Sequence, residues 1–300
     1  MILPSLKKND TIGIISTARK ISLSEIQTAI NIIEEKGYQV ALGKNLFKKD
    51  RQFSGTIAER TEDLQTMLDD KNIKAILCAR GGYGTVQIIP FLNFEQFAKT
   101  PKWLIGYSDV TVLHSYIHQQ LNIPTLHATM PINFQDYNID SEPIVSLFNV
   151  LESKKNSYKI PYNKLNRKGN AEGIIIGGNL SILYSLRGTP ADIDCDNKIL
   201  FIEDLDEYLY HIDRMIMNLK WSGKLKNLKA LIVGGMSDMN DNSIPFGKSA
   251  KEIIREAVEE YDYPVLFDFP AGHIKDNNAL TLGTTIQISV NEDSSSVKFV

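Results

Sequence analysis

Three short segments of this 300-residue sequence carry residue types suited to hydrolytic chemistry. In the first, GYSD, Ser108 lies between an apolar run that ends at Ile105 and a helical pattern that begins at Val110. A serine on a tight strand-to-helix turn can act as a nucleophile, because the turn exposes its hydroxyl. Such a serine is also a common helix N-cap, and Asp109 would then favour the positive end of the helix dipole. The residues alone leave both interpretations open.

The second segment, ARGGYG, spans residues 79–84 and follows a predicted strand. Its two adjacent glycines allow the backbone to approach a ligand closely and to turn N–H groups towards it. This arrangement is typical of an anion or oxyanion site, but a tight turn that needs positive φ angles gives the same pattern. The segment is neither a GxGxxG motif nor a P-loop, so it gives dinucleotide binding little support.

The third segment, FIEDLDEYLYHIDR, spans residues 201–214. An apolar strand ends here in Glu203 and Asp204, and a carboxylate at a strand end is well placed to orient an imidazole. Asp206 and Glu207 follow closely and compete for that role. The alternative is a solvated acidic loop at the start of a helix.

A histidine that could serve as the general base must come from elsewhere in the chain. His114 and His118 lie four residues apart on the helix after Ser108 and are typical of packing or surface groups. His273 lies in a loop just after a strand, where catalytic groups tend to collect, and it is the best-placed base; His127 is second. Cys78 is an alternative nucleophile by chemistry, but its place inside an apolar strand favours core packing.

The composition limits the class of protein. The chain is 43% hydrophobic and 23% charged, with a net charge of −3 and a pI near 6.0, so no basic surplus indicates binding to nucleic acid or an anionic membrane. Neither HExxH nor CxxC occurs, and we predict no metal and no other cofactor. Two cysteines without a framework pattern, a first segment unlike a signal peptide and the absence of a long apolar run predict a cytoplasmic protein.

The order of predicted elements divides the chain. Strands and helices alternate through the first half, which predicts a parallel sheet with helices on both faces. We place an N-terminal α/β domain at 1–150, a linker in the charged stretch 151–170, and a C-terminal domain at 171–300. The second half mixes strands and helices, and its tail alternates like a β-hairpin.

Taken together, in order and spacing, these segments resemble the LD-carboxypeptidase family of serine peptidases, which also holds the microcin C immunity-type enzymes. The resemblance covers nearly the whole chain. The segments that carry it are SGTIAERTEDLQTMLDDKNIKAILCARGGYG, LIGYSDVTVLH, HATMP, GGNLSIL, LFIEDLDEYLYHIDRM and AGH.

The resemblance implies a catalytic triad of Ser108, Glu203 and His273. It also implies an oxyanion hole made by the backbone N–H groups of Asp109 and Gly82. The implied fold is a flavodoxin- or Rossmann-like α/β sandwich with a parallel sheet, followed by a smaller, β-rich C-terminal α/β domain, with the site between them. Arg80 is our own hypothesis for binding a substrate carboxylate, because arginine suits bidentate pairing. An ion pair with Asp109 or a surface acid is the alternative.

The family also implies a substrate. Its main branch releases the terminal D-alanine from murein tetrapeptide during cell-wall recycling by cutting an L-to-D amide bond, and its members are commonly homodimers. A second branch hydrolyses peptide- or aminoacyl-nucleotides. A third alternative, of a different class, is a non-catalytic α/β module that binds an anion, in which the three triad residues need not converge.

Overall fold

The computed structural model describes residues 3–300, so the first two residues of the predicted domain 1–150 and of the N-terminal segment lie outside the described residues. In chain order, the strands are β1 (Thr11–Ile15), β2 (Gln39–Leu42), β3 (Ile73–Cys78), β4 (Trp103–Gly106), β5 (Thr125–His127), β6 (Ser157–Pro161), β7 (Gly169–Asn179), β8 (Ile199–Leu205), β9 (Ala230–Ser237), β10 (Val265–Leu266), β11 (Leu280–Leu282), β12 (Thr285–Val290) and β13 (Ser294–Phe299). The α-helices are α1 (Leu23–Glu35), α2 (Ile57–Asp69), α3 (Thr85–Ile88), α4 (Glu95–Lys99), α5 (Thr111–Leu121), α6 (Glu142–Leu151), α7 (Leu180–Ser185), α8 (Leu209–Trp221) and α9 (Ala250–Ala257).

The first sheet has the strand order β2-β1-β3-β4-β5, and these five strands are parallel. This is the order of flavodoxin-like sheets, which bind ligands at the carboxyl ends of their strands, where the order reverses between β1 and β3. β3 and β4 are almost wholly buried, as strands covered by helices on both faces must be. The predicted parallel α/β sandwich is confirmed.

Helices cover this sheet because their apolar residues repeat with helical spacing. In α1, Ile26, Ala29, Ile30 and Ile33 form the buried face. In α2, the start of the helix is fixed by a capping box, in which the Glu59 carboxylate accepts a hydrogen bond from Thr56 N at 2.8 Å.

The second sheet combines two kinds of pairing. Strands β10, β9, β8 and β7 are parallel, and β12, β13 and β6 continue the sheet in antiparallel fashion. The predicted C-terminal hairpin is the β12–β13 pair. A mixed sheet with helices is the β-rich α/β architecture that was expected for this half.

Two strands differ from the predicted organisation. The expected linker 151–170 contains β6, whose buried Tyr158 and Ile160 alternate with exposed residues at the edge of the second sheet. This five-residue alternation of buried and exposed residues is too short to be recognised in the sequence among the charged residues around it. In addition, β11 pairs antiparallel with β5 and so completes the first sheet from the C-terminal part of the chain.

The two halves meet where α5 begins. Asn179, the last residue of β7, donates its backbone N–H to Thr111 Oγ1 at 3.0 Å. Gly178 makes this approach possible, because a β-carbon there would lie 2.6 Å from the same oxygen. The contact brings the carboxyl end of the second sheet against the turn that carries Ser108.

Candidate active site

Ser108 lies in a strained turn at the end of β4. Its φ angle is +64°, a left-handed conformation that is uncommon for residues other than glycine, and it begins a 3₁₀ turn (Ser108–Val110) that leads into α5. Within residues 3–300, the Ser108 hydroxyl makes no hydrogen bond, and no side chain caps α5. The geometry is therefore that of a free hydroxyl on a strand-to-helix turn that lines a cleft, and not that of an N-cap.

The glycine pair packs directly on this serine. A β-carbon at Gly81 would lie 2.8 Å from both Cβ and Oγ of Ser108 and 3.6 Å from the backbone nitrogen of Asp109. Gly82 has a φ of +121°, and a β-carbon there would instead meet the Arg19 side chain at 2.6 Å. The loop that carries the expected Gly82 donor thus reaches the Ser108–Asp109 turn, and Gly81 is the residue that permits it.

The Asp109 side chain holds the glycine loop in place. It is buried, and Oδ2 accepts a hydrogen bond from the backbone N–H of Thr85, the first residue of α3, at 2.8 Å. Burial raises the pKa of Asp109, although the hydrogen bonds from Thr85 and the charge of Arg60 oppose that shift. Asp109 therefore ties the segment after the glycines to the nucleophile turn.

Glu203 and His273 form a tight pair from the second half. Glu203 Oε2 lies 2.7 Å from His273 Nδ1 and accepts the His273 backbone N–H at 3.1 Å. Glu203 is fully buried at the end of β8. Gly272 has a φ of +107°, and a β-carbon there would lie 2.7 Å from Glu203 Oε2, so only glycine fits before the histidine.

Charge stabilises this pair against burial. Burial disfavours the imidazolium, but the charge and hydrogen bond of Glu203 outweigh it, and the pKa of His273 is raised. Burial likewise disfavours the Glu203 carboxylate, and the contacts with His273 outweigh that effect, so its pKa is lowered. The arrangement favours an ionised glutamate beside a histidine that gains a proton readily.

Ser108 and His273 line one cleft of about 640 Å³ between the two halves. Within the described residues, no hydrogen bond joins Ser108 Oγ to His273; hydrogen bonds of this kind often tighten only when substrate binds. The cleft lies at the reversal point of the first sheet, because Arg19 follows β1 and Gly81 follows β3. Five of the six expected site residues line the cleft; the sixth, Glu203, lies behind His273.

Two arginines line the cleft, in addition to its acidic residues. Arg80, the expected carboxylate-binding residue, lies 3.7 Å from Glu25 Oε1 and donates to the Lys20 carbonyl at 3.2 Å. The ion pair with a surface acid that was its alternative is thus present, and the guanidinium still borders the cleft. Arg19 is exposed and forms no ion pair with any acid in the described part of the chain.

The competing residues have other contacts. His127 is fully buried, so it cannot serve as a base that reaches substrate from the cleft. Cys78 is also fully buried, and burial raises the pKa of its thiol to about 12. Glu207 pairs with His211 at 2.6 Å, and Asp206 accepts from Asn240 at 2.8 Å.

Asp204, the neighbour of Glu203, serves a different purpose. Its oxygens accept hydrogen bonds from Asn179 Nδ2 and from the backbone N–H groups of Ser181 and Leu205, at 2.8–2.9 Å. Burial, together with the charge of Glu203, raises the pKa of Asp204 to about 7. Asp204 thus joins the start of α7 to the end of β8.

Sequence reasoning missed the aromatic contact on the histidine. The Tyr107 ring lies 4.8 Å from the His273 ring between centroids, and its hydroxyl donates to Asn133 Oδ1 at 3.1 Å. Arg19 and the close approach of Gly81 were also missed. The only signals in the sequence were the tyrosine next to Ser108 and the doubling of the glycine.

Residues 3–300 contain no group of three or more histidine, cysteine, aspartate or glutamate side chains arranged to hold a metal ion. None of the helices in this range combines the length and the apolar character that a membrane crossing needs.

Comparisons with known proteins agree over almost the full chain. A family model described as the LD-carboxypeptidase N-terminal domain matches residues 12–128, and one described as the LD-carboxypeptidase C-terminal domain matches residues 172–288. A probable murein peptide carboxypeptidase of Bacillus subtilis (strain 168) is 36% identical over 304 residues, covering 98% of this chain and 93% of that protein.

Two further relatives extend the comparison. The solved structure of a muramoyltetrapeptide carboxypeptidase from Oxalobacter formigenes is similar with a TM-score of 0.88 and 26% identity, covering 96% of this chain and 98% of that one. The microcin C7 self-immunity protein of Escherichia coli is 25% identical over 334 residues, covering 99% of this chain and 95% of that protein. Both the fold and the family resemblance expected from the sequence are confirmed.

Proposed function

The chain belongs to the LD-carboxypeptidase family, and from this premise we propose that it releases the terminal D-alanine of murein tetrapeptide by hydrolysing an L-to-D amide bond. The observation that carries the proposal is the contact of His273 with the buried Glu203, 2.7 Å apart, where His273 lines the same cleft as the half-buried Ser108. An anion-binding module has no need of such a pair beside a strained serine.

The proposed reaction has two halves. Ser108 Oγ attacks the amide carbonyl carbon while His273 Nε2 takes the hydroxyl proton. The C–N bond then breaks as His273 returns that proton to the leaving D-alanine amine, which leaves an acyl ester on Ser108. Water, deprotonated by His273, attacks the ester, and the proton passes back to Ser108.

The oxyanion of each tetrahedral intermediate needs donors that are already in place. The backbone N–H groups of Asp109 and Gly82 are our proposed donors, because Gly81 brings the glycine loop against the Ser108–Asp109 turn. Glu203 accepts the Nδ1 proton of His273, which leaves Nε2 free to act as the base and stabilises the imidazolium that forms.

A carboxypeptidase must also recognise the free carboxylate at the end of its substrate. Arg80 remains our proposed ligand for it, and Arg19 is the second guanidinium on the same cleft. Arg19 has no acid partner within residues 3–300, whereas Arg80 is shared with Glu25. Two arginines can meet a carboxylate with several charge-assisted hydrogen bonds.

We further propose a cytoplasmic location and a homodimer. The first is supported by two cysteines, Cys78 and Cys195, that are both free and buried, as is usual in a reducing compartment. The homodimer is proposed only because members of this family are commonly homodimers. Sedimentation velocity of the purified protein tests it directly.

The decisive experiment measures release of D-alanine from purified murein tetrapeptide by the wild type and by Ser108→Ala. We expect the substitution to lower kcat by roughly 10⁶-fold, the loss that removal of a serine nucleophile causes in related chemistry. Ser153→Ala is the matched control, because Ser153 also has a positive φ (+58°) but is exposed at the end of α6, outside the cleft.

Three outcomes separate the alternatives. Release that collapses only in Ser108→Ala supports both substrate and nucleophile. If folded wild type releases no D-alanine but cleaves a peptidyl-nucleotide, the protein belongs to the second branch. Its similarity to the microcin C7 self-immunity protein is compatible with that outcome. Equal release by wild type and Ser108→Ala rejects Ser108 as the nucleophile.

A further inference from the structure

Several buried polar atoms behind Glu203 have no hydrogen-bond partner. Glu203 Oε2 is engaged by His273, but its other oxygen, Oε1, contacts no donor within the described residues. The unpartnered atoms of neighbouring side chains are both ring nitrogens of His127 and Nδ2 of Asn277. All three residues are at most 2% exposed. Native proteins rarely leave a buried carboxylate oxygen without a donor.

His127 packs against the face of β8 that carries Glu203. As the last residue of β5, it pairs with Gly106 in β4, and its ring lies 5.1 Å from the Phe201 ring between centroids. Phe201 and Glu203 are two residues apart on β8 and therefore share one face of the sheet. The Tyr107 ring contacts both imidazoles, at 5.8 Å from His127 and 4.8 Å from His273.

The other titratable groups around this position are already committed. His114 engages Thr125 Oγ1 and the Gly106 carbonyl, each at 2.9 Å. Tyr107 donates its hydroxyl to Asn133, and both Asp204 oxygens accept from their own donors. That leaves the ring N–H of His127 and the amide of Asn277 as the unpartnered donors next to Glu203 within the described residues.

The protonation state of His127 suits a neutral donor. Burial lowers the pKa of His127 to about 3, although the charge of Glu203 opposes that shift. At neutral pH the ring therefore keeps one N–H without adding a charge that would compete with His273 for Glu203.

We propose that His127 is a positioning residue: its neutral imidazole donates to Oε1 of Glu203, directly or through one buried water that Asn277 also contacts, and holds the carboxylate for His273. This inference rests on the proposed roles of Ser108, His273 and Glu203. Because His127 never touches substrate, its contribution must reach the reaction through the charge and orientation of Glu203.

The test replaces the donor and preserves the volume. In His127→Phe, Glu203 loses the donor to Oε1 that holds its carboxylate in place, so its hydrogen bond to His273 weakens and His273 loses part of the interaction that raises its pKa. We expect kcat to fall about 10- to 100-fold, with KM nearly unchanged, as is common when a supporting hydrogen bond is removed. The acid limb of the kcat/KM profile should move to lower pH.

Two further variants separate positioning from packing. His127→Gln restores an N–H donor and should recover most of kcat and the position of the acid limb. His118→Phe is the matched control, because His118 also has an unpartnered buried ring nitrogen, Nδ1, but faces Lys198 and Asp194. It should change only the denaturation midpoint. If His127→Phe does not fold, His127→Met takes its place.

A second readout keeps this inference independent of the substrate. Nitrogen-15 NMR of labelled histidine, recorded in the Ser108→Ala background, gives the pKa of His273 without turnover. A lower pKa of His273 in His127→Phe, restored in His127→Gln, supports the inference even if murein tetrapeptide is the wrong substrate. An unchanged pKa of His273 in folded His127→Phe overturns it, and so does a Gln variant that behaves like Phe.

Discussion

The two halves of the site are held in place by different means. In the first half, Ser108 is half-buried, has a φ of +64° and makes no side-chain hydrogen bond within the described residues. In the second half, Glu203 is fully buried, and His273 is fixed to it by two hydrogen bonds. The nucleophile is thus placed by its backbone, and the base by side-chain charge.

This difference follows from what each group must do. A nucleophile has to leave its ground-state partners and bond to carbon, so fixing its Cα and leaving its hydroxyl free suits the task. A base has to gain and lose a proton in one place, so a charged and buried partner suits it. Ser108 and Glu203, the partner of the base, stand at the carboxyl ends of parallel strands, β4 and β8, where the backbone leaves the sheet.

Among substitutions that leave the Ser108 hydroxyl in place, the largest effect should come from the side-chain half. Glu203→Gln removes the charge that outweighs burial at His273, so burial is opposed only by the smaller effect of the Asp204 charge and the pKa of His273 falls. Wild type should show an acid limb of kcat/KM above the ordinary histidine pKa of about 6.5, and the variant a limb below it. We expect kcat to fall by about 10⁴-fold, as when the acid of a serine-protease triad loses its charge.

The matched control for this change is Glu152→Gln, a glutamate with a lowered pKa that pairs with Lys154 and Tyr38 far from the cleft. The measurement is the pH dependence of D-alanine release for both variants. An acid limb that stays in place in folded Glu203→Gln would show that the base is held by some other group.

The sequence allowed much of this site to be predicted. Ser108, Glu203 and His273 each follow an apolar run that ends abruptly, and the family motifs gave their order. The structure then brings Glu203 and His273, 70 residues apart, into direct contact. Strand and helix periods also predicted the first sheet, because parallel strands buried on both faces read as continuous apolar runs.

What the sequence left hidden depends on contacts between distant segments. The residues Leu280–Leu282 do not by themselves indicate that β11 joins the first sheet, because that pairing depends on the distant strand β5. Likewise, a doubled glycine does not reveal that Gly81, and not Gly82, is the one pressed against Ser108. The burial of His127 near Glu203 could not be predicted either, because His127 ends β5 of the first sheet and Glu203 lies on β8 of the second.

The backbone half can be disturbed through that glycine. In Gly81→Ala the new methyl would lie 2.8 Å from Ser108 Oγ, so either the loop or the hydroxyl must move and the proposed oxyanion donors separate. We expect kcat to fall about 100- to 1,000-fold, the usual effect of losing one oxyanion donor. Single-turnover release of D-alanine measures the acylation step.

Gly188→Ala provides the contrast to Gly81→Ala. Gly188 has a φ of +74° and would place its methyl in open space, so the substitution adds backbone strain without a contact. It should lower the free energy of unfolding by about 1 kcal/mol and leave kcat alone. Equal rates for Gly81→Ala and wild type would mean that the loop does not contribute to the oxyanion site.

The smallest effect concerns the strain itself, and it requires two substitutions at one position. Ser108→Ala keeps a β-carbon and hence the cost of the left-handed conformation, whereas Ser108→Gly removes that cost. Glycine also loses more entropy on folding, so the gain is partly offset. We expect Ser108→Gly to exceed Ser108→Ala in free energy of unfolding by about 0.5–1 kcal/mol, measured by urea denaturation.

The same pair of substitutions at Ser153, with its φ of +58°, gives the gain for an exposed turn that has no catalytic role. A similar gain at both positions means that the strain at Ser108 is the ordinary cost of its φ. A gain at Ser108 that clearly exceeds the one at Ser153 means that the surrounding turn forces the serine further from its preferred geometry. If glycine gives a gain at Ser153 but none at Ser108, the view that backbone strain places the nucleophile is wrong. The two halves of the site would then differ only in how deeply Ser108 and Glu203 are buried.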